Sequence, residues 1–435
     1  MGDIFASVES EVRSYCREWD TVFDRAAGEW LYSEDGRKYI DFFSGAGALN
    51  YGHNNPLLLE PLIAYLRSGS VIHSLDMKTT AKRRFLEMFQ ELILVPRDLD
   101  YKVMFTGPTG TNSVEAALKL ARKVTGRHHV LSFTNAFHGM TLGALAVTGN
   151  SMKRQGAGIP LNNTSSIPYD GFLNGQPDDL LWLRCALEDS GSGMDKPAAV
   201  IVETVQGEGG VRAARASWLR ALSDLCRHHE VLLIVDDVQA GCGRTGTFFS
   251  FEEAGIQPDI VCMSKSLSGF GLPLAVTLFR PDLDIWKPGE HNGTFRGHNP
   301  AFVTGAAALE NYWNGREFES QIAARAAQLH AGLATVAGKI EGSHVRGRGL
   351  LAGIYCPDAA TARNVSAVSF ASGLLVETSG PQGEVVKVMP PLTISAESMA
   401  YGLDILCEAV RSVTGELLDP MPRIHRREVT GVGTR

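Results

Sequence analysis

The chemistry in this sequence begins with a buried-looking apolar run that ends in two acids, Val231-Leu232-Leu233-Ile234-Val235-Asp236-Asp237. Such a run reads as a strand covered on both faces, and open α/β sheets bind ligands at the carboxyl ends of their strands. A carboxylate there is costly unless it stands beside a cation or strong donors. The plain alternative is a pair of solvated residues opening a loop. Lys265 comes 29 residues after Asp236, behind a second apolar run, Asp259-Ile260-Val261-Cys262-Met263. That distance allows one intervening segment and the next strand, so both groups open on the same sheet edge. A lysine at that edge is ordinarily a solvated surface residue. Paired with a strand-end aspartate, it matches what a pyridoxal phosphate enzyme requires: a lysine to form the Schiff base and an aspartate to keep the pyridine nitrogen protonated.

A phosphate site is also needed. Thr106-Gly107-Pro108-Thr109-Gly110-Thr111-Asn112 follows a predicted strand and runs into a predicted helix from Ser113, with Asn112 and Glu115 at capping-box spacing. A helix N-terminus supplies free N–H groups, and Gly110 permits close approach of an anion. The segment is neither a P-loop, lacking Gly-Lys-Ser/Thr, nor the three-glycine dinucleotide fingerprint. Phe137-His138-Gly139 follows the Val130–Phe133 run and could place a ring on the pyridine; core packing is the alternative. Glu203-Thr204-Val205-Gln206-Gly207-Glu208-Gly209-Gly210 puts polar groups and glycines at another strand end. His53, His73, His291 and His298 lack metal-ligand spacing, and no catalytic metal is expected.

The elements that must carry these residues follow from the pattern. Lys102–Thr106, Val130–Phe133, Ala198–Thr204, Val231–Val235 and Ile260–Met263 are short apolar runs separated by helical stretches, such as Val114, Ala117, Leu118, Ala121 and Trp218, Leu219, Leu222, Cys226. This predicts a large α/β domain with a mainly parallel central sheet, plus a smaller α+β domain. The expected boundaries are 1–50 for an N-terminal helix and hairpin packing with the small domain, 51–305 for the cofactor domain, 306–418 for the small domain, and 419–435 for a tail. Ile4, Val8, Val12 and Cys16 predict an opening helix, and Ser33-Glu34-Asp35-Gly36 a hairpin turn.

With 435 residues, 44% apolar and 20% charged, the chain has the make-up of an ordinary globular protein rather than a disordered one. A net charge of −7 gives no case for nucleic acid or an anionic membrane. Seven scattered cysteines without C-x-x-C spacing suit a reducing, cytoplasmic setting. Neither a secretory leader nor a membrane span is expected.

At these residues the chain resembles the class III (ω-type) aminotransferases of pyridoxal phosphate fold type I, over roughly Gly28 to Val413. Asp236-Asp237-Val238-Gln239 with Gly241-Cys242-Gly243-Arg244-Thr245-Gly246 is similar to the signature around the pyridine-nitrogen aspartate. The resemblance implies that Asp236 rather than Asp237 holds the nitrogen, that Gln239 approaches the ring hydroxyl, and that Lys265 carries the cofactor. It also implies that Gly110 and Thr111 bind phosphate, that Phe137 stacks on the ring, and that Thr294 in Gly293-Thr294-Phe295-Arg296-Gly297 reaches the phosphate of a neighbouring subunit in a homodimer or higher oligomer.

Where the family carries a carboxylate-gripping arginine, this chain has Lys387, in Val386-Lys387-Val388-Met389-Pro390-Pro391-Leu392. Glu208 resembles the glutamate that masks that cation. Ser44–His53, Gly107–Asn112, Ser264–Leu274 and Glu377–Pro381 are similar to the subgroup acting on 2,4-diaminobutyrate and 2-oxoglutarate, including its ectoine-pathway members. The implied substrates are therefore small amino and 2-oxo acids. The alternatives are an ω-aminotransferase for ornithine or 4-aminobutyrate, a same-fold aminomutase, racemase or decarboxylase, and a catalytically idle binding relative.

Overall fold

A computed structural model of the chain describes residues 3–173 and 180–415; the expected tail at 419–435 lies outside the described residues. The central sheet has seven strands, in the spatial order Lys102–Phe105, Val276–Phe279, Ile260–Met263, Leu232–Asp236, Ala199–Val202, Val130–Phe133, Thr164–Ile167. Only Val276–Phe279 runs against its neighbours; the other pairings are parallel. Burial on both faces explains the continuous apolar runs. Ile234 and Ile260 enter one core with Val114, Leu118 and Ala121, while Val235 and Val261, one residue along, enter the other with Trp218 and Leu222.

Helix Gly110–Thr125 covers the first face because Val114, Ala117, Leu118 and Ala121 share one stripe, and it stops at Gly126, which is left-handed with φ 68°. The C-terminal part has a second sheet, in the order His344–Arg348, Leu351–Tyr355, Val385–Val388, Glu377–Ser379, all antiparallel. Helices Glu317–Ala337, Ala359–Ala371 and Ala396–Thr414 accompany it.

The N-terminal hairpin forms as expected: Trp30–Ser33 pairs with Lys38–Asp41, and Gly36 turns at φ 85°. Its second strand pairs in parallel with Leu374–Leu375, which ties the N-terminal segment to the C-terminal part. The single opening helix does not form. The chain makes two short pieces, Ile4–Val8 and Tyr15–Glu18, and leaves Ile4, Phe5, Val8 and Val12 exposed. An apolar stripe with no core beneath it gains nothing from helix formation, and Ser10 Oγ accepts the Val12 N–H instead. Among the described residues, no helix is long and apolar enough to cross a membrane.

Candidate active site

The register of the two central strands brings the predicted pair together. Asp236 lies opposite Cys262, and the chain leaves Ile260–Met263 to reach Lys265 on the same edge. Lys265 opens a short 3₁₀ turn at φ 50°, a strained conformation for a side-chain-bearing residue. Its Nζ donates to Ala46 O at 2.8 Å, and the amine sits half-buried on the wall of a cavity of about 320 Å³. Burial pulls its ammonium below the ordinary lysine range, with the charge of Glu208 opposing.

Asp236 faces the same cavity, held from two sides. Its Oδ1 accepts the Val238 N–H at 3.1 Å, and Oδ2 lies 2.7 Å from His138 Nδ1. Glu203 lines the wall beside it. Burial first, and then the charge of Asp236, push the Glu203 carboxyl well above the usual range, and its Oε2 accepts the Phe137 N–H at 2.9 Å. That bond sets the half-buried Phe137 ring on the cavity wall.

Asp237 turns away. Its Oδ2 accepts the Ser250 N–H at 3.1 Å, and burial pushes its carboxyl up to about 7. A raised value means that the folded state holds the proton, so this group's contribution to stability is present at low pH and is lost as pH rises toward 7. Asp237→Asn cannot ionise. The variant is expected to keep kcat within about twofold, and its Tm should fall less than that of the parent protein between pH 5 and pH 8; thermal melts across that range, with parallel assays, check this.

The phosphate end fits an anion. Thr109, Gly110 and Thr111 begin helix Gly110–Thr125 and line the cavity. A Cβ on Gly110 would meet Val238 Cγ1 at 2.8 Å, and one on Gly139 would overlap Thr111 Oγ1, so glycine keeps this corner open. Thr111 Oγ1 lies 2.6 Å from Thr141 Oγ1. The capping differs from the expected Asn112–Glu115 box. The helix starts earlier, at Gly110, so Asn112 Oδ1 reaches back to Thr109, and Glu115 is free to accept from Thr141 Oγ1 and Ala144 N. Ring face, strand-end carboxylate, amine and anion cradle together fit pyridoxal phosphate.

Deeper in the wall, Lys387 is fully buried. Its Nζ lies 2.7 Å from Glu208 Oε1 and 2.7 Å from Glu377 Oε1. Burial alone would lower the Lys387 ammonium, but the two carboxylates outweigh it and hold the group above its ordinary range. Burial also acts to raise Glu208, yet Lys387 and Lys265 bring it down to about 2. Glu377 is pushed up to about 7, by burial first, against Lys387. Gln239 Nε2 donates to Ala46 O at 3.0 Å and lies 3.4 Å from Glu208 Oε1.

Thr294 stands apart from this group, in an exposed turn, where its carbonyl lies 2.8 Å from His73 Nε2. Arg296, two residues along, is engaged with His291 O and Asn292 Oδ1. Sequence reasoning assigned no role to His138, Glu203 or Glu377. A signal for Glu377 existed: a lysine inside Val385-Val386-Lys387-Val388 demands a buried carboxylate partner.

Comparison with known proteins adds to this geometry. The family model described as aminotransferase class III matches residues 14–410. The diaminobutyrate–2-oxoglutarate transaminase of Streptomyces avermitilis is 61% identical over 411 residues, covering 94% of this chain and 97% of the relative. That of Nocardia farcinica is 58% identical over 434 residues, covering 100% and 98%. Among solved structures, the ornithine aminotransferase of Toxoplasma gondii superposes with a TM-score of 0.81 at 25% identity, covering 95% of this chain and 94% of that one.

Proposed function

The chain belongs to the class III aminotransferases, and on that premise we propose that it interconverts L-2,4-diaminobutyrate plus 2-oxoglutarate with L-aspartate 4-semialdehyde plus L-glutamate. Pyridoxal phosphate is the cofactor of this class; when bound, it supplies an electron-withdrawing ring that accepts the electron pair released as a C–H bond at the reacting carbon breaks. In this reading Lys265 is the covalent anchor and carries the proton to and from that carbon. Asp236, steadied by His138 and the Val238 N–H, places a negative charge at the ring nitrogen. Gly110 and Thr111 grip the phosphate, Phe137 gives the ring its aromatic face, and Gln239 reaches the ring hydroxyl. Thr294 from a second copy completes the phosphate site, so the working unit is a homodimer or a larger oligomer. We also propose the domain division 1–50 with 306–418, around a cofactor domain at 51–305, on the support of the Leu374–Leu375 pairing with the N-terminal hairpin.

The observation that carries the substrate reading is the buried Glu208–Lys387 pair at 2.7 Å. Glutamate reacts at the carbon bearing its α-carboxylate, so a cation must be uncovered beside the reacting carbon. Diaminobutyrate reacts at its terminal amine, with no carboxylate on that carbon, so the same cation must be masked. A lysine capped by a cavity-facing glutamate meets both demands; the 54–61% identity to diaminobutyrate transaminases supports the same substrate. A donor and acceptor screen on purified protein, with both products identified, tests it. Diaminobutyrate with 2-oxoglutarate is expected to give the highest kcat/KM; preference for ornithine or 4-aminobutyrate by more than about tenfold would overturn the substrate assignment and leave the aminotransferase assignment standing.

A further inference from the structure

Glu377 has no part in the two-residue switch just described, yet it is built into it. It lies on Glu377–Ser379, opposite Lys387 in the antiparallel register, and is nearly as buried as the lysine. Its Oε1 stands 2.7 Å from Lys387 Nζ, an ion pair across the two strands. Glu208, on the cavity side, takes the aligned hydrogen bond. A buried ammonium thus stands between two carboxylates, one able to face the cavity and one locked across the sheet.

We propose that Glu377 is a positioning residue that neutralises and fixes Lys387 whenever Glu208 withdraws, which makes the carboxylate-bearing donor glutamate acceptable at the same site as an ω-amine. The inference rests on the switch reading above. Without Glu377, uncovering Lys387 would leave a lone buried cation, which is strongly unfavourable. With it, the uncovered state is a neutral cross-strand pair, and an ammonium with three N–H donors has one to offer an incoming carboxylate.

The groups facing Glu377 support this division. Lys387 and Glu208 are nearest, with Lys265 beyond and Tyr15 contributed by the N-terminal segment. Burial and Glu208 together favour the protonated form of Glu377, so two full negative charges are not forced on one ammonium while the cap is in place. When the cap leaves, its repulsion leaves with it, and Glu377 ionises against Lys387.

Single-turnover kinetics of Glu377→Gln holoenzyme separate the two halves of the reaction. The glutamate half is expected to slow by about 10- to 100-fold, because its passage through an uncovered Lys387 now strands a charge. The half driven by an ω-amine donor should stay within about twofold. The glutamate rate of the variant should also drop as pH rises above neutrality, as the unpaired lysine loses its proton more readily, while the parent rate does not. Equal slowing of both halves, or no change in either, would overturn the proposal. Should Glu377→Gln fail to fold, Glu377→Asp, which draws the charge back by one methylene, is expected to show the same selectivity at smaller size, and equal slowing there would be equally fatal. The donor is the ω-amine that the substrate screen finds best, so loss of the diaminobutyrate assignment would leave this test intact.

Discussion

Lys265→Ala is expected to lower turnover by about 10⁴-fold or more while the protein still folds and still binds pyridoxal phosphate. In the roles proposed for it, one substitution removes both the group that holds the cofactor covalently and the group that moves the proton at the reacting carbon. The geometry argues that no neighbour substitutes for it. Lys387 is fully buried and committed to Glu208 and Glu377, and the Lys153 amine stands 4.3 Å from the centre of the Phe137 ring. Binding survives because the anion cradle at Gly110 and Thr111 belongs to a helix whose cap and packing do not involve Lys265. Borohydride reduction of the parent holoenzyme followed by peptide mapping is expected to place the cofactor mass on Lys265. A label on a different lysine, or a variant retaining a tenth of parental kcat, would refute the assignment.

The legible part of this site was the part governed by local rules. Asp236 and Lys265 could be read because each ends or follows a run of residues buried on both faces, and parallel strands bring their carboxyl ends to one edge. The glycine-rich turn at Gly110 was legible for the same reason, since a helix start announces itself in sequence. Its exact start was not: Thr109 and Asn112 compete with Asn112 and Glu115 for the same capping role, and only the partners of Glu115 across the chain decide between them. The antiparallel strand Val276–Phe279 and the edge strand Thr164–Ile167 were missed. The first gives no sign in its residues that it reverses direction, and the second, Thr-Ser-Ser-Ile, is mostly polar.

The long-range partners were the least legible. His138 meets Asp236 from 98 residues away, a pair no local pattern offers, whereas Glu208 meets Lys387 across 179 and could be paired beforehand only through the family resemblance. Such pairs are fixed by tertiary packing, and no periodicity encodes them. The misread N-terminal helix has the opposite lesson. Ile4, Val8 and Val12 have helical spacing, but spacing describes a face, and among the described residues of one chain this face has nothing to lie against.

Asp236→Asn is expected to lower kcat by about 10²- to 10³-fold and cofactor affinity far less. The substitution preserves shape and volume, so what it removes is the negative charge that the proposed role sets against the ring nitrogen. The surroundings of Asp236 are arranged for that charge. The Val238 N–H donates to one oxygen, His138 Nδ1 stands 2.7 Å from the other, and His138 Nε2 has no partner among the described residues. An asparagine can keep its oxygen on the Val238 N–H and turn its amide N–H toward His138 Nδ1 in the accepting tautomer, so the position is held while the charge is lost. Electron withdrawal by the ring weakens in consequence, whereas the phosphate grip at Gly110 and Thr111 lies at the other end and is untouched. Steady-state kcat beside a cofactor titration reads the two effects separately. An unchanged kcat with collapsed affinity would mean that Asp236 serves only to hold the cofactor. Asp237→Asn supplies the matched control: the same exchange, one residue along the same strand end, in a carboxyl that faces Ser250 instead of the cavity. If both variants lost activity alike, the effect would belong to the fold of this turn and not to a charge at the ring.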